Sequence, residues 1–327
     1  KILQKKESHF FLSGKKIEDL RYGENPHQSA SVYSFNTDKV ENFYTKLNGK
    51  DLSYNNLNDV RAALSLLAEF DLPASVIIKH AIPCGVSEKE NILFSWKKAF
   101  SADKLSAFGG VVGFNRTVKK ELALELNKIF LEVIAAKNFS ESALEILKQK
   151  KNLRIIKIKN LKDFKAKKPK AIITMPNIFL VQDNDNHFTK KRNLKIVSFK
   201  KPSKKEIEDL IFANKVVKHV RSNAIVIAKN KITLGIGSGN TSRVDSVNFA
   251  IQKSSRSEIA TKKNYLKGAV MASDAFFPFA DSILLASKVG IKSIIQPGGS
   301  IKDKEIIEEI NKKKMSMIFT NKRSFTH

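Results

Sequence analysis

The sequence predicts an α/β fold in which helices cover a sheet, and three observations carry that reading. Short β-branched apolar runs alternate with amphipathic stretches at the spacing of βαβ units. Glycine, proline and asparagine clusters mark the boundaries between them. The chain is 327 residues long and 42% hydrophobic, enough for two ordinary domains with a core each.

Taken in order, residues 1–20 show little periodicity and read as a lead-in loop with a short strand. Leu20-Arg-Tyr-Gly-Glu-Asn-Pro-His-Gln28 is a turn by composition. Asn48-Gly49 marks another turn, and 52–56 is a polar loop. Asp59 then opens a helix with the stripe Val60, Ala63, Leu64, Leu67 and Phe70, stopped by Pro73. Val76-Ile77-Ile78 is a buried strand closed by Pro83 and Gly85. Ser87-Glu-Lys-Glu90 has the form of a capping box for a helix reaching Ala102. Ser106-Ala-Phe-Gly-Gly110 turns into a strand over 111–114. Helices over 117–128 and 140–150 precede strands over 131–135 and 154–158.

Residues 159–193 are less regular, with a strand over 178–182 and the polar run 183–187. A boundary near Lys190 divides the chain into a first unit, 1–190, and a second, 191–327. A second capping box, Ser203-Lys-Lys-Glu206, opens a helix running to His219. Strands over 224–228 and 232–236 form a hairpin about Lys229-Asn-Lys231. Strands over 269–273, 293–296 and 315–319 follow, with the last helix after Ser300.

The net charge of +27 comes mostly from lysines spread along the chain. The densest runs, 148–170 and 190–205, lack the aromatic–basic interleaving that stacks bases. A solvated lysine surface is therefore favoured over a specific nucleic-acid partner, and its field would attract phosphorylated or polycarboxylate small molecules. The single cysteine, Cys84, forms no intramolecular disulfide, builds no paired-cysteine zinc site and suits a reducing cytoplasm. No apolar run approaches the roughly 18 residues of a membrane helix, and no secretory signal opens the chain. A first residue that is Lys1 rather than Met suggests a piece of something longer.

Lys79 and His80, at the end of the central strand, are a candidate acid beside a candidate base. Open α/β sheets bind ligands beyond the carboxyl ends of their strands, and both residue types titrate usefully when partly buried. The alternative makes His80 a hydrogen-bonded core histidine with Lys79 pointing to water, and the stretch alone does not choose. Arg21 could pair with a phosphate, with Tyr22 beside it as a hydroxyl donor; an ordinary surface turn is the competing reading. Gly235-Ile-Gly-Ser-Gly-Asn-Thr-Ser-Arg243 could present backbone N–H groups to an anion, although it is neither a Walker loop nor a dinucleotide fingerprint. Asp274-Ala-Phe-Phe-Pro-Phe-Ala-Asp281 could form an aromatic slot for a flat heterocycle, or simply pack.

Seven motifs in sequence order are more specific than any one of them. They are the 20–28 turn, Ile78-Lys-His-Ala-Ile-Pro-Cys-Gly85, Ser106 to Gly110, Arg221-Ser-Asn-Ala-Ile-Val226, Gly237-Ser-Gly-Asn-Thr-Ser-Arg243, Ser273-Asp-Ala-Phe-Phe-Pro-Phe279 and Gln296-Pro-Gly-Gly-Ser300. Together, over nearly the whole chain, they resemble the AICAR (5-aminoimidazole-4-carboxamide ribonucleotide) transformylase family, the C-terminal part of bifunctional purine biosynthesis proteins. The resemblance implies two cytidine-deaminase-like three-layer α/β/α units with mixed sheets. It implies a homodimer with sites at the subunit interface, and formyl transfer from 10-formyltetrahydrofolate to the AICAR amine.

By resemblance, Lys79 and His80 are the catalytic pair, joined by Asn223, and Arg21 and Tyr22 the nucleotide-binding pair. Asn55, Gly109, Arg243, Phe276, Arg323 and His327 fall where the family contacts AICAR. Glu132 stands where some relatives have aspartate. Asp281 and Gly298-Gly299-Ser300 fall where the family meets the folate. Zinc deaminases of related architecture need paired cysteines and a glutamate; this chain lacks that set, so no catalytic zinc is inferred, and a monovalent cation is left open. The resemblance gives Arg323 and His327 a reason to be ordered at a natural C-terminus. It places the family's IMP cyclohydrolase N-terminal to these residues. A non-catalytic nucleotide-binding relative and a basic nucleic-acid-binding protein are the rival readings.

Overall fold

A computed structural model describes residues 9–35, 43–166, 170–189, 191–261 and 264–327. Residues 1–8 of the lead-in and the boundary placed at Lys190 lie outside them. An antiparallel pair, β1 (Lys15–Asp19) with β2 (Ser31–Ser34), stands apart from the main sheet. Then come β3 (Tyr44–Asn48), α1 (Tyr54–Leu67), β4 (Ala74–Lys79), β5 (Ile82–Glu88), α2 (Ile92–Ala102) and the single turn α3 (Lys104–Ala107). They are followed by β6 (Val111–Val118), α4 (Lys120–Asn127), β7 (Val133–Phe139), α5 (Glu141–Lys148) and β8 (Arg154–Ile158). A turn, α6 (Asp163–Ala166), and a separate hairpin, β9 (Ala171–Met175) with β10 (Ile178–Gln182), lead to β11 (Lys195–Ile196) and α7 (Lys204–Val217). The rest is β12 (Ile225–Lys229), β13 (Ile232–Gly237), α8 (Arg243–Ser254), β14 (Val270–Ser273), α9 (Asp281–Lys288), β15 (Ser293–Gln296), α10 (Asp303–Lys312) and β16 (Ser316–Phe319).

Twelve strands make one mixed sheet, in the order β11-β16-β15-β14-β12-β13-β5-β4-β6-β7-β8-β3. The two halves are one device built twice. In each, a helix feeds a hairpin, α1 into β4–β5 and α7 into β12–β13. Three mutually parallel strands follow, β6–β8 or β14–β16, and an antiparallel strand, β3 or β11, closes the outside. The copies meet antiparallel at the centre, where Ile232 of β13 pairs with Ser87 of β5.

Strand alternation sorts the core into layers. From β4, Val76 and Ile78 face α1, and Ile77 faces α2; from β12, Val226 faces α7, and Ile225 and Ile227 face α8. Helices α1 and α7 share one face and one core, where Phe70 and Phe212 stand 5.6 Å apart. Helices α2 and α8 sit directly on glycines of the hairpins. A Cβ at Gly85 would lie 2.2 Å from the Ala99 carbonyl oxygen, and one at Gly235 2.0 Å from that of Ala250. Gly235 and Gly237 thus admit a helix, not a ligand, to the backbone.

Several expected boundaries move, each for a nameable reason. Helix α1 starts at Tyr54, because Ser53 and Asn56 form a capping box; Asp59 lies a turn inside it. Pro83 and Gly85 do not end a strand but belong to β5, the return arm of a hairpin. Ser87 and Glu88, read as part of a cap, are the last residues of that strand, and Asn91 caps α2 instead. Thr117 and Val118 likewise belong to β6. Strands β3, β9 and β11 and helix α9 have no counterpart in the sequence reading.

The shared helical face carries a buried polar junction between the halves. Glu69, after α1, accepts from Lys218 at 3.2 Å and contacts His219 at 3.1 Å, both just after α7. Burial alone would raise the Glu69 carboxyl, but the His219 hydrogen bond and the charges of His219 and Lys218 outweigh it and hold it below the ordinary value. A depressed carboxylate contributes stability that is full above the unfolded-state pKa, about 4.3, and is lost as pH falls through the folded value. Urea unfolding from pH 7 down to pH 3 should show the Glu69→Gln variant less stable at pH 7 and flatter in its acid limb. Parallel acid limbs would remove Glu69 from the pH dependence.

Candidate active site

Strand direction gathers the candidate residues. Strand β4 is antiparallel to β5, β5 to β13 and β13 to β12, so the carboxyl end of β4 and the amino end of β12 share one edge of the sheet. Strands β6–β8, antiparallel to β4, bring their amino ends there; β14–β16, antiparallel to β12, bring their carboxyl ends. Along this edge stand Lys79 and His80, Gly109, Glu132, Asn223, Phe276, Gly298 to Ser300, and the segment from Arg323 to His327. The carboxyl-end rule expected from sequence therefore holds for β4, whose end carries Lys79 and His80, and for the parallel strands β14–β16. The parallel strands of the first half, β6–β8, instead bring their amino ends.

Lys79 is half-buried, and its Nζ donates to the Phe108 carbonyl oxygen at 2.7 Å. His80 is exposed at the tip of the β4–β5 hairpin. Both line a cavity of about 290 Å³ in the seam between the halves, together with Ser238 and Phe249 of the second half. The wall is closed by groups that sequence reasoning missed. Lys253 of α8 donates to Asp103 at 2.9 Å and Ser106 at 3.0 Å, and Ser106 Oγ donates to Asp103 at 2.6 Å. Burial works to raise the Asp103 carboxyl, but the Ser106 and Lys253 hydrogen bonds prevail and hold it below the usual range. Asp103 and Ser106 form the local cap of α3, but no local pattern could have paired them with Lys253, which comes from the other half. Cys84 also lines the cavity, and burial pushes its thiol up to about 12. It is no nucleophile at neutral pH.

A second cavity, of about 230 Å³, is lined by Asn223, Gly239, Asn240, Thr241 and the terminal Phe325 and His327. Asn223 is held on both sides of its amide: Nδ2 donates to the Asn240 and Thr241 carbonyls at 3.0 and 3.1 Å, and Oδ1 accepts from Arg243 at 2.7 Å. Arg243 is buried, and its guanidinium also binds Ser273 Oγ at 2.9 Å and the Asp274 carboxylate. It therefore meets the site through Asn223. The terminal segment is pinned, not frayed: Ser324 N–H donates to the Asp274 carbonyl at 2.9 Å, and Ser222 and Thr326 exchange backbone and side-chain bonds at 2.8 and 3.1 Å. The Arg323 guanidinium lies 4.3 Å over the Phe325 ring.

The remaining candidates line neither cavity. Arg21 lies 5.1 Å over the Tyr22 ring, and the Tyr22 carbonyl accepts from the first N–H of α1 at 3.1 Å. Asn55 Nδ2 donates to the Glu24 carbonyl at 2.9 Å, tying that turn to α1. Glu132 is paired with Arg154 at 2.7 Å. Gly109 adopts φ +67°, and its N–H donates to the Phe130 carbonyl at 2.9 Å. Of the three phenylalanines in the expected slot, Phe277 is core, and Phe276 and Phe279 are exposed. Asp281 is exposed at the start of α9. The Gly298-Gly299-Ser300 turn is fixed by Asp303, which accepts from Gly299 N–H at 2.7 Å; a Cβ at Gly298 would meet the Phe319 ring at 2.4 Å.

This arrangement offers an imidazole, an ammonium group and a fixed amide on one edge, with cationic side chains around it. A model of the AICARFT/IMPCHase bienzyme family matches residues 1–253. The bifunctional purine biosynthesis protein PurH of Caldicellulosiruptor bescii is 48% identical over 98% of this chain and 61% of its own length. That of Caldicellulosiruptor saccharolyticus is 49% identical over 95% and 59%, and that of Persephonella marina 48% identical over 100% and 62%. The chain thus spans about three-fifths of the length of these curated relatives. With the family model covering most of its length, the chain belongs to the AICARFT/IMPCHase bienzyme family.

Proposed function

We propose that this chain catalyses formyl transfer from 10-formyltetrahydrofolate to the 5-amino group of AICAR, giving formyl-AICAR and tetrahydrofolate. The observation that carries the reading is a shared edge: motifs from residue 78 to residue 300 lie along one edge of one sheet, and Lys79 and His80 line the seam cavity there. The AICAR amine is a weak nucleophile, because its lone pair is delocalised into the ring and carboxamide. As the nitrogen bonds to the formyl carbon, His80 takes the amine proton. The resulting oxyanion is stabilised and N10 is protonated as the carbon–N10 bond breaks; we assign Lys79 to one or both steps. Asn223, immobilised through Arg243, orients the substrate. Arg21, Tyr22, Arg323 and His327 supply donors for the ribotide phosphate, and the exposed Phe276 and Phe279 supply apolar surface near the turn assigned to folate.

The two cavities, about 230 and 290 Å³, fall below the roughly 300 to 1,000 Å³ typical of ligand sites, and the reaction must hold a ribotide and a pterin together. A homodimer, in which a second copy completes the walls, meets that need. Its cytoplasmic setting belongs to the same proposal. Among the described residues, no helix is long and apolar enough to cross a membrane.

The test is tetrahydrofolate release from 10-formyltetrahydrofolate, with and without AICAR, alongside product analysis. AICAR-dependent release with formyl-AICAR accumulating is expected. AICAR binding without release would identify a non-catalytic relative, and binding to unrelated DNA with a steep salt slope would favour the nucleic-acid reading.

A further inference from the structure

The duplicated fold supplies an internal reference for every residue at the active edge. Position by position, the β4–β5 hairpin of the first half matches the β12–β13 hairpin of the second. Lys79 corresponds to Lys229, and the resemblance extends to the bond each makes: Lys79 Nζ to the Phe108 carbonyl at 2.7 Å, Lys229 Nζ to the Lys267 carbonyl at 2.8 Å. Each of those carbonyls precedes a glycine with positive φ, Gly109 at +67° and Gly268 at +81°. The lysine bond is therefore part of the architecture of both halves. What differs is the next residue, His80 in one hairpin and Asn230 in the other.

Both hairpins turn through two residues with positive φ, His80 and Ala81 at +55° and +60°, Asn230 and Lys231 at +54° and +53°. That geometry favours asparagine and glycine. A left-handed residue with a Cβ costs about 1–2 kcal/mol, and histidine tolerates the region better than most, so the cost of this turn falls mainly on Ala81. Each turn is gripped from beneath by an aspartate at the matching position of the preceding helix. Asp209 of α7 accepts from Asn230 N–H at 2.8 Å and Lys231 N–H at 2.7 Å. Asp59 of α1 accepts from Ala81 N–H at 2.6 Å.

We propose that Asp59 is a positioning residue for His80: by accepting the Ala81 N–H it holds the unfavourable His80-Ala81 turn in its left-handed form and so fixes the imidazole over the seam cavity. Strained backbone survives where its surroundings over-determine it, and it concentrates at working sites. The second half keeps the same clamp under an asparagine, so the clamp and the histidine can be separated experimentally. The proposal rests on the reading of His80 as the base.

The experiment compares Asp59→Ala, Asp59→Asn and Asp209→Ala with His80→Ala in the full chain, measuring kcat, KM for AICAR and thermal stability. Asp59→Ala should lower kcat roughly 10- to 100-fold, the scale of a misplaced catalytic group, with KM changed less than about 3-fold. Asp59→Asn keeps an acceptor oxygen and should recover most of the loss. Asp209→Ala should lose stability like Asp59→Ala yet keep wild-type kcat. Should Asp59→Ala fail to fold, Asp59→Glu, with its oxygen on a longer arm, carries the test, with kcat falling and KM holding. Wild-type kcat in Asp59→Ala beside a dead His80→Ala overturns the proposal, as does an equal kcat loss in Asp209→Ala. Undiminished turnover in His80→Ala overturns the functional reading and this proposal with it.

Discussion

Replacing His80 by alanine is expected to lower the rate of formyl transfer by about 10²- to 10⁴-fold, the usual contribution of a general base, while AICAR affinity changes little. His80 is exposed at a hairpin tip, so removing its ring takes nothing from the core. The phosphate-facing donors proposed for AICAR lie on other elements, in the 20–28 turn and the terminal segment. Lys79 is a less clean target: its Nζ anchors the Phe108 carbonyl, and truncation would release the loop before β6 as well as any charge on the oxyanion. Tetrahydrofolate release gives kcat, and calorimetry with AICAR alone gives the dissociation constant. A variant that binds and does not turn over supports the assignment. Turnover within about 3-fold of wild type, far short of a general base's contribution, would take His80 out of the chemistry and leave the imidazole as a turn residue.

The parts of this protein readable from sequence were those whose causes are local. Val76-Ile77-Ile78 gave a central strand, and Ser203-Lys-Lys-Glu206 gave the capping box of α7, with both reciprocal bonds present. The same box pattern at Ser87 misled, because the β5 ladder to β4 and β13 claims Ser87 and Glu88 before any helix can. Short strands such as β3 and β11 depend on partners over a hundred residues away and carry little signal of their own. Gly235 and Gly237 looked like a ligand cradle; their cause is helix α8 lying against β13. The site was legible as motifs, not as a place. Which motifs share an edge depends on strand directions that the chain alone does not state, and Asp59, Asp103, Lys253 and Asp274 act through partners in other elements.

The largest expected loss of stability from a single change at this edge is Asp274→Ala. Asp274 is buried and receives the Arg243 guanidinium and the Ser222 hydroxyl. Through Arg243 it fixes the Asn223 amide, and through Ser222, which accepts from Thr326 N–H at 3.1 Å, it fixes the terminal segment. Removing one partner of a buried ion pair leaves a charge without solvent or counter-ion, at a cost of about 3–5 kcal/mol. Urea unfolding should show that drop, and the Arg323 to His327 segment should become protease-sensitive at concentrations of urea that leave the core folded. The double variant Arg243→Met with Asp274→Leu tests the cause, since replacing both members by apolar groups is often neutral. Stability should return toward wild type while formyl transfer does not, because Asn223 Oδ1 has lost its donor. An Asp274→Ala variant within 1 kcal/mol of wild type would mean that Arg243 finds water or another acceptor, and the edge would then owe its order to the sheet and not to this pair.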